Sequence, residues 1–244
     1  MESTGVYCNK LAYTLEMNEI DCSVVNPRQI LDFIRSKNLR VKTDKVDAKA
    51  IAEYGATVKP KTTKLPAKEV REIRVLNNVK WNLKRDLVRI KGEQEYITQD
   101  EYEHSFALKM LNSQAKYINK RIDRIDKKID QIIEQSKPLK QDCALLQTIP
   151  GIKDSAKVIV AEFHAMPKGM KNNQIVAYAG LAPAPKQSGT SLNKKGHLDK
   201  RGNKHLRQAL YMPALSAISC NSAKPHPLVP SPSRRGLGRG TRRS

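Results

Sequence analysis

The sequence predicts a mostly α fold with a partial α/β section at its head. Two observations carry this. Apolar residues keep helical spacing through 59–91 and again through 108–137. The first 58 residues alternate helix and strand patterns, yet only one strand, Ile20 to Val25, is clear. A lone strand cannot make an independent sheet, so the head reads as the back half of an α/β domain.

Residues 5–18 read as a helix, and β-branched Val24 and Val25 lead into a turn at Asn26-Pro27. Residues 28–37 look helical. Thr43 is a good N-cap for a helix to about Tyr54, with Asp44 in its first turn. Residues 59–91 carry eleven Lys/Arg and three acids, with Ile73, Leu76, Leu83, Leu87 and Ile90 on one side. This pattern suits a basic helix along a nucleic-acid backbone, and equally the solvated face of a packed helix. Further on, Leu111, Ala115, Ile118, Ile122, Ile125, Ile129 and Ile132 alternate steps of four and three, the a/d seam of a coiled coil. Self-association is the favoured reading and an intramolecular helical hairpin the alternative. Pro138 ends the segment.

Residues 144–163 read as helix, tight Pro150-Gly151 turn, helix, in the manner of a helix-hairpin-helix. There Gly151 would let the backbone approach a DNA phosphate, and the next helix would offer free N–H groups. Lys153 stands where a second glycine is usual; an ordinary αα-hairpin is the competing reading. Residues 174–220 hold a helix, a Gly180-Leu181-Ala182-Pro183 turn, a loop with Ser188, a basic stretch and a last helix. The expected divisions are 1–58, a partial α/β domain; 59–138, basic helices and coiled coil; 139–220, a helical C-terminal domain; and 221–244, a tail rich in Pro, Ser, Gly and Arg. The tail cannot bury a core and is expected to be disordered and non-native, from read-through into unrelated DNA.

The balance of 45 Lys+Arg against 24 Asp+Glu gives a formal net charge of +21. Polyanions attract such a surface. The tail does not create the signal: without residues 221–244, 39 basic and 24 acidic residues remain, a balance of +15. The four cysteines (Cys8, Cys22, Cys143, Cys220) form no C-x-x-C pair, and the five histidines show no ligand spacing. That argues against a zinc module or disulfide framework and for reduced thiols in the cytoplasm. No apolar run approaches the ~18–20 residues that span a bilayer.

Asp44 and Asp47, three apart on a predicted helix, share a face. With Glu2 they could hold divalent ions for phosphoryl transfer; alternatively they simply suit a helix start. Lys42, just before the pair, and Lys45, between its two members, are candidate phosphate contacts. Ser188 precedes Gly189 and lies near Lys186, Lys194 and Lys195, with Arg201 and Arg207 beyond. A serine needs a base or cation to become a nucleophile, and these cations could stabilise charge on phosphorus. Ser-Gly is also an ordinary loop signal, and Ser191 is an alternate.

Order and spacing add a resemblance. Glu-Ser-Thr-Gly-Val-Tyr at 2–7, Val-Asn-Pro at 25–27 and Lys-Thr-Asp-Lys-Val-Asp-Ala at 42–48 resemble the RuvC-like half of the DEDD insertion-sequence transposases. Ile-Pro-Gly-Ile at 149–152, Ala-Tyr-Ala-Gly-Leu-Ala-Pro at 177–183, Gln-Ser-Gly-Thr-Ser at 187–191 and Gly-Asn-Lys-His-Leu-Arg-Gln-Ala-Leu-Tyr at 202–211 resemble that family's C-terminal serine domain. Pilin-gene invertases share the plan. The resemblance covers about residues 1–220. It implies an RNase H-like domain in which four acids bind Mg2+, Glu2, Asp44 and Asp47 matching the second to fourth. It implies Ser188 as a nucleophile that attaches covalently to DNA. It further implies a coiled coil, dimers or tetramers, and in many members an element-encoded guide RNA.

Against the family pattern, the first acid and the opening strands lie upstream of Glu2, and residues 221–244 stand where further helices are expected. The expectation is a transposase by descent, truncated at both ends, poorly soluble and unable to transpose as written. A non-catalytic DNA- or RNA-binding protein is the competing reading, and a RuvC-like nuclease without a serine step the third.

Overall fold

The computed structural model describes residues 1–3, 5–37, 43–100, 102, 104–188 and 192–220, with backbone alone at 5–6, 185–188, 192–196 and 220. Lys42, Ser191 and residues 221–244 therefore lie outside the described residues. The chain is mostly helical, as expected. Two compact units emerge: Met1–Ile132 with Ala161–Ile175, and Ile133–Val160 with the described part of Val176–Ser244.

In the first unit, α1 (Gly5–Met17), α2 (Pro27–Ser36) and α3 (Asp44–Val58) follow the expected order. Asn26 caps α2 by accepting from Arg28 N, with Pro27 in the first turn, where its missing N–H costs nothing. Thr43 caps α3 through Val46 N, as the sequence predicts. The helix runs past Tyr54 to Val58, and Lys59 ends it in a left-handed conformation (φ 47°). The expected strand at Ile20 to Val25 shrinks to one parallel bridge, Glu2 to Val25. The reason is a short partner: Ser3 N donates to Val25 O and Val25 N to Met1 O, both at 2.9 Å. On the other side Thr63 N donates to Cys22 O (2.8 Å) and Val24 N to Thr63 Oγ1 (3.0 Å). These bonds satisfy the backbone that a ladder would otherwise pair. Val25, Ile30 and Tyr54 form the core here, with Phe33 edge-on to Tyr54 at 5.4 Å.

The basic helix starts later than its composition suggests, just after Pro66: α4 spans Lys68–Thr98, and α5 spans Ser105–Gln135. The two run antiparallel. Gln94 Nε2 meets Asn112 Oδ1 at 3.0 Å, Lys80 pairs with Asp126, and Lys128 lies 3.9 Å from Glu72. Leu83 and Ile90 of α4 bury against Ile118 and Ile122 of α5, flanked by Leu87, Leu111, Ala115 and Ile125. The heptad seam is thus covered inside one chain, as the hairpin alternative required. Each fully buried Leu or Ile contributes ~1.5–3 kcal/mol, so covering this seam stabilises the hairpin substantially.

Helices α6 (Lys137–Gln147) and α7 (Ser155–His164) flank the Pro150-Gly151 turn. Pro138 sits in the first turn of α6, so it opens one helix as it closes another. Then come α8 (Asn172–Tyr178), an antiparallel hairpin of β1 (Pro183–Ser188) and β2 (Leu192–Leu198), and α9 (Lys204–Cys220). The hairpin replaces the expected loop and basic stretch. Its prolines, lysines and glycine have low strand propensity, which is why the sequence reads as coil.

Candidate functional site

The acidic residues lie at the head of the first unit. Glu2 is half-buried on the three-residue segment bridged to Val25. Asp44 is exposed and Asp47 half-buried, both in the first turn of α3, where a helix dipole favours negative charge. Lys45 is exposed beside them. Among the described residues, no three His, Cys, Asp or Glu side chains come close enough to hold one ion. Carboxylate oxygens are the donors magnesium prefers, but the grouping of Glu2, Asp44 and Asp47 does not make a complete site. Beside Val25 opens a cleft of about 280 Å³ lined by Ile30, Ile51 and Tyr54.

In the second unit, Gly151 has φ +86°, a conformation that disfavours a side chain. A Cβ there would meet Ser216 Cβ at 2.7 Å and Pro213 Cα at 3.3 Å. Close packing on α9 therefore accounts for this glycine without a phosphate. Lys153 is exposed in the same turn.

The Ser188 hairpin is built from its base. Four carbonyls at the end of α8 have no helical partner, and each finds one. Leu181 N donates to Val176 O (3.0 Å) and Gly180 N to Ala177 O (2.9 Å), a Schellman turn with Gly180 at φ +69°. Asn203 N donates to Tyr178 O (2.6 Å), and Arg207 Nη1 to Ala179 O (3.0 Å). Gly180 and Gly202 touch backbone to backbone: a Cβ on Gly202 would collide with Gly180 N and Tyr178 O. Asp199 N donates to Ala182 O (2.8 Å), one step beyond the Pro183–Leu198 pair. Asn203 caps α9, its Oδ1 accepting from His205 N (3.0 Å) and Leu206 N (3.1 Å).

Arg201 forks onto Asp199, Nε to Oδ1 at 2.8 Å and Nη2 to Oδ2 at 2.7 Å. This guanidinium, with its backbone N–H, holds the Asp199 carboxyl down to about 2. At the far end, Ser188 pairs with Leu192 and closes β1, and Lys186 stands opposite Lys194, with Lys195 next along β2. Arg201 and Arg207, expected to contact phosphates, are thus engaged at the hairpin base. Sequence reasoning missed Asp199 as the partner of Arg201 and the Ala179 carbonyl as that of Arg207. The N-cap Asn203, just before a helical run, was a readable signal.

Residues 1–97 match a family model described as a transposase of the DEDD IS110 type. Residues 143–227 match the model of the transposase IS116/IS110/IS902 family. Pilin gene-inverting proteins of Moraxella bovis and Moraxella lacunata are each 31% identical to it over 216 residues, 88% of this chain and 65% of theirs. The chain belongs to the IS110-type transposase family. It spans slightly under two thirds of the length of these curated relatives. The two IS110-type matches fall on the two candidate regions, one holding Glu2, Asp44 and Asp47 and the other the Ser188 hairpin. No helix among the described residues of this transposase relative is long and apolar enough to cross a membrane.

Proposed function

We propose that this chain is a DNA strand-exchange protein, a transposase or site-specific recombinase in which Ser188 is the nucleophile. The observation that carries the reading is the joint match to both transposase models, together with two C-terminal motifs, 177–183 and 202–211, that meet at the base of the hairpin bearing Ser188. In this chemistry the Ser188 hydroxyl attacks a DNA phosphate. One phosphodiester bond breaks, a deoxyribose hydroxyl leaves with the proton, and a serine–phosphate ester forms. A hydroxyl from a second strand reverses the step and releases the serine. One ester is exchanged for another at each step, so no external energy source is needed. Lys186, Lys194 and Lys195 on the hairpin, and Lys45 and Lys153 elsewhere, are proposed contacts to the DNA backbone, where cations also stabilise charge on phosphorus.

Glu2, Asp44 and Asp47 are the proposed carboxylates of a magnesium site. Since they do not converge on one ion, no step is assigned to the metal. The pilin gene-inverting relatives carry inversion in their name, which supports DNA as the substrate. An element-encoded guide RNA, dimers or tetramers, and a cytoplasmic location are proposed on the same family resemblance.

The test is a covalent adduct assay on radiolabelled DNA. An adduct that survives denaturation, is lost in Ser188→Ala and persists in Ser191→Ala supports the reading. The reverse pattern moves the nucleophile to Ser191. DNA binding with no adduct supports the non-catalytic binding protein instead.

A further inference from the structure

We propose that Arg207 is a positioning residue for the Ser188 hairpin rather than a phosphate ligand. The catalytic part of this proposal rests on the reading above that Ser188 is the nucleophile; the structural part does not. Arg207 lies one turn into α9, and its Nη1 reaches back to the Ala179 carbonyl at the end of α8. The next residue is Gly180, where a Cβ would clash with that same guanidinium and stand 2.8 Å from both Asp199 O and Gly202 N. Arg207 Nη1 and the Ala179 carbonyl are in direct contact at 3.0 Å, with no room for a phosphate between them. Asp199–Ala182 and Asn203–Tyr178 complete a clamp that ties α8, both hairpin strands and α9 at one point.

The clamp matters because of leverage. Ser188 stands five residues beyond Pro183 on β1, about 17 Å away at ~3.3 Å per residue. A tilt of roughly 3° at the base moves the far end by about 1 Å, and a misplacement of that size costs on the order of 100-fold in rate. The Arg207–Ala179 bond acts where a small rotation is most magnified.

The experiment compares the full chain with Arg207→Gln and Arg207→Lys by three readouts. The first is amide hydrogen exchange at Asp199 and Asn203, which needs no activity. The second is the salt dependence of affinity for duplex DNA. The third is the rate of adduct formation at saturating DNA. The expected result for Arg207→Gln is exchange at those two amides faster by tenfold or more, an unchanged salt slope, and an adduct rate lower by about 10- to 100-fold. Arg207→Lys, which keeps the charge but loses the planar fork, is expected to behave like the glutamine variant, and it stands in should that variant fail to fold. A phosphate ligand would behave oppositely: unchanged exchange, a salt slope shallower by about 0.9, and binding restored by lysine. That outcome overturns the proposal. If the unsubstituted chain forms no adduct, the nucleophile reading fails while the exchange result still decides the clamp.

Discussion

At the scale of single residues, the hairpin base is governed by one carboxylate and two glycines. Asp199 ionises well below its ordinary range because Arg201 holds it. A depressed carboxyl pKa contributes stability above the unfolded value, near 3.9, and loses it as pH falls toward the folded value. The Asp199–Arg201 contribution is therefore complete at neutral pH and disappears between about pH 4 and pH 2. Following the Asp199 amide by NMR should show a transition in that window, absent in Asp199→Asn. Gly202 is the more rigid constraint. A Cβ there meets backbone, which cannot rotate away, so Gly202→Ala should cost about 2–3 kcal/mol. Chemical denaturation of the two proteins measures this. A change under 0.5 kcal/mol, the size of an ordinary surface substitution, would mean that the Gly180–Gly202 approach is not needed.

At the scale of elements, the α4–α5 hairpin and the α3 cap make separate claims. Ile90 is 1% exposed and faces Ile118 and Ile122. Ile90→Ala should therefore cost about 2–5 kcal/mol through lost burial and the cavity left behind, read as a lowered thermal midpoint. Thr43→Ala should cost about 1 kcal/mol, since it frees the Val46 N–H at the start of α3. These elements also mark what was legible in the sequence. The helices at 5–18, 28–37 and 108–137, and the Thr43 cap, were legible because periodicity and capping act within a few residues. The partner of the heptad seam was not. A run of a/d residues records that a stripe must be covered but not whether α4 or another copy covers it; the shared core and pairings such as Lys80–Asp126 and Gln94–Asn112 answer that within the chain. The Ser188 hairpin was illegible for another reason. Its strands have low intrinsic propensity, and the Gly180–Gly202 and Arg207–Ala179 contacts at its base join residues far apart in sequence. For the site, residue types in family order singled out Asp44, Asp47 and Ser188 as candidates, whereas Arg207's place against a carbonyl depended on a turn 28 residues away.

At the scale of the whole molecule, charge is the property that acts on a polyanion before any specific contact forms. The formal charge of +21 falls to +16 if Arg234, Arg235, Arg239, Arg242 and Arg243 are all replaced by glutamine. Each neutralised phosphate releases counterions, so affinity for duplex DNA falls with salt at a slope of roughly 0.9 per contact. For six to ten contacts that is a loss of about 10³- to 10⁵-fold between 50 and 200 mM salt. If the contacts lie within residues 1–220, the five-fold glutamine variant keeps the slope nearly whole. If the slope collapses instead, the arginines at 234–243 carry the binding and the basic helices and hairpin do not. Measuring both proteins across that salt range, on duplexes of unrelated sequence, separates these two distributions of charge without requiring any strand to be cut.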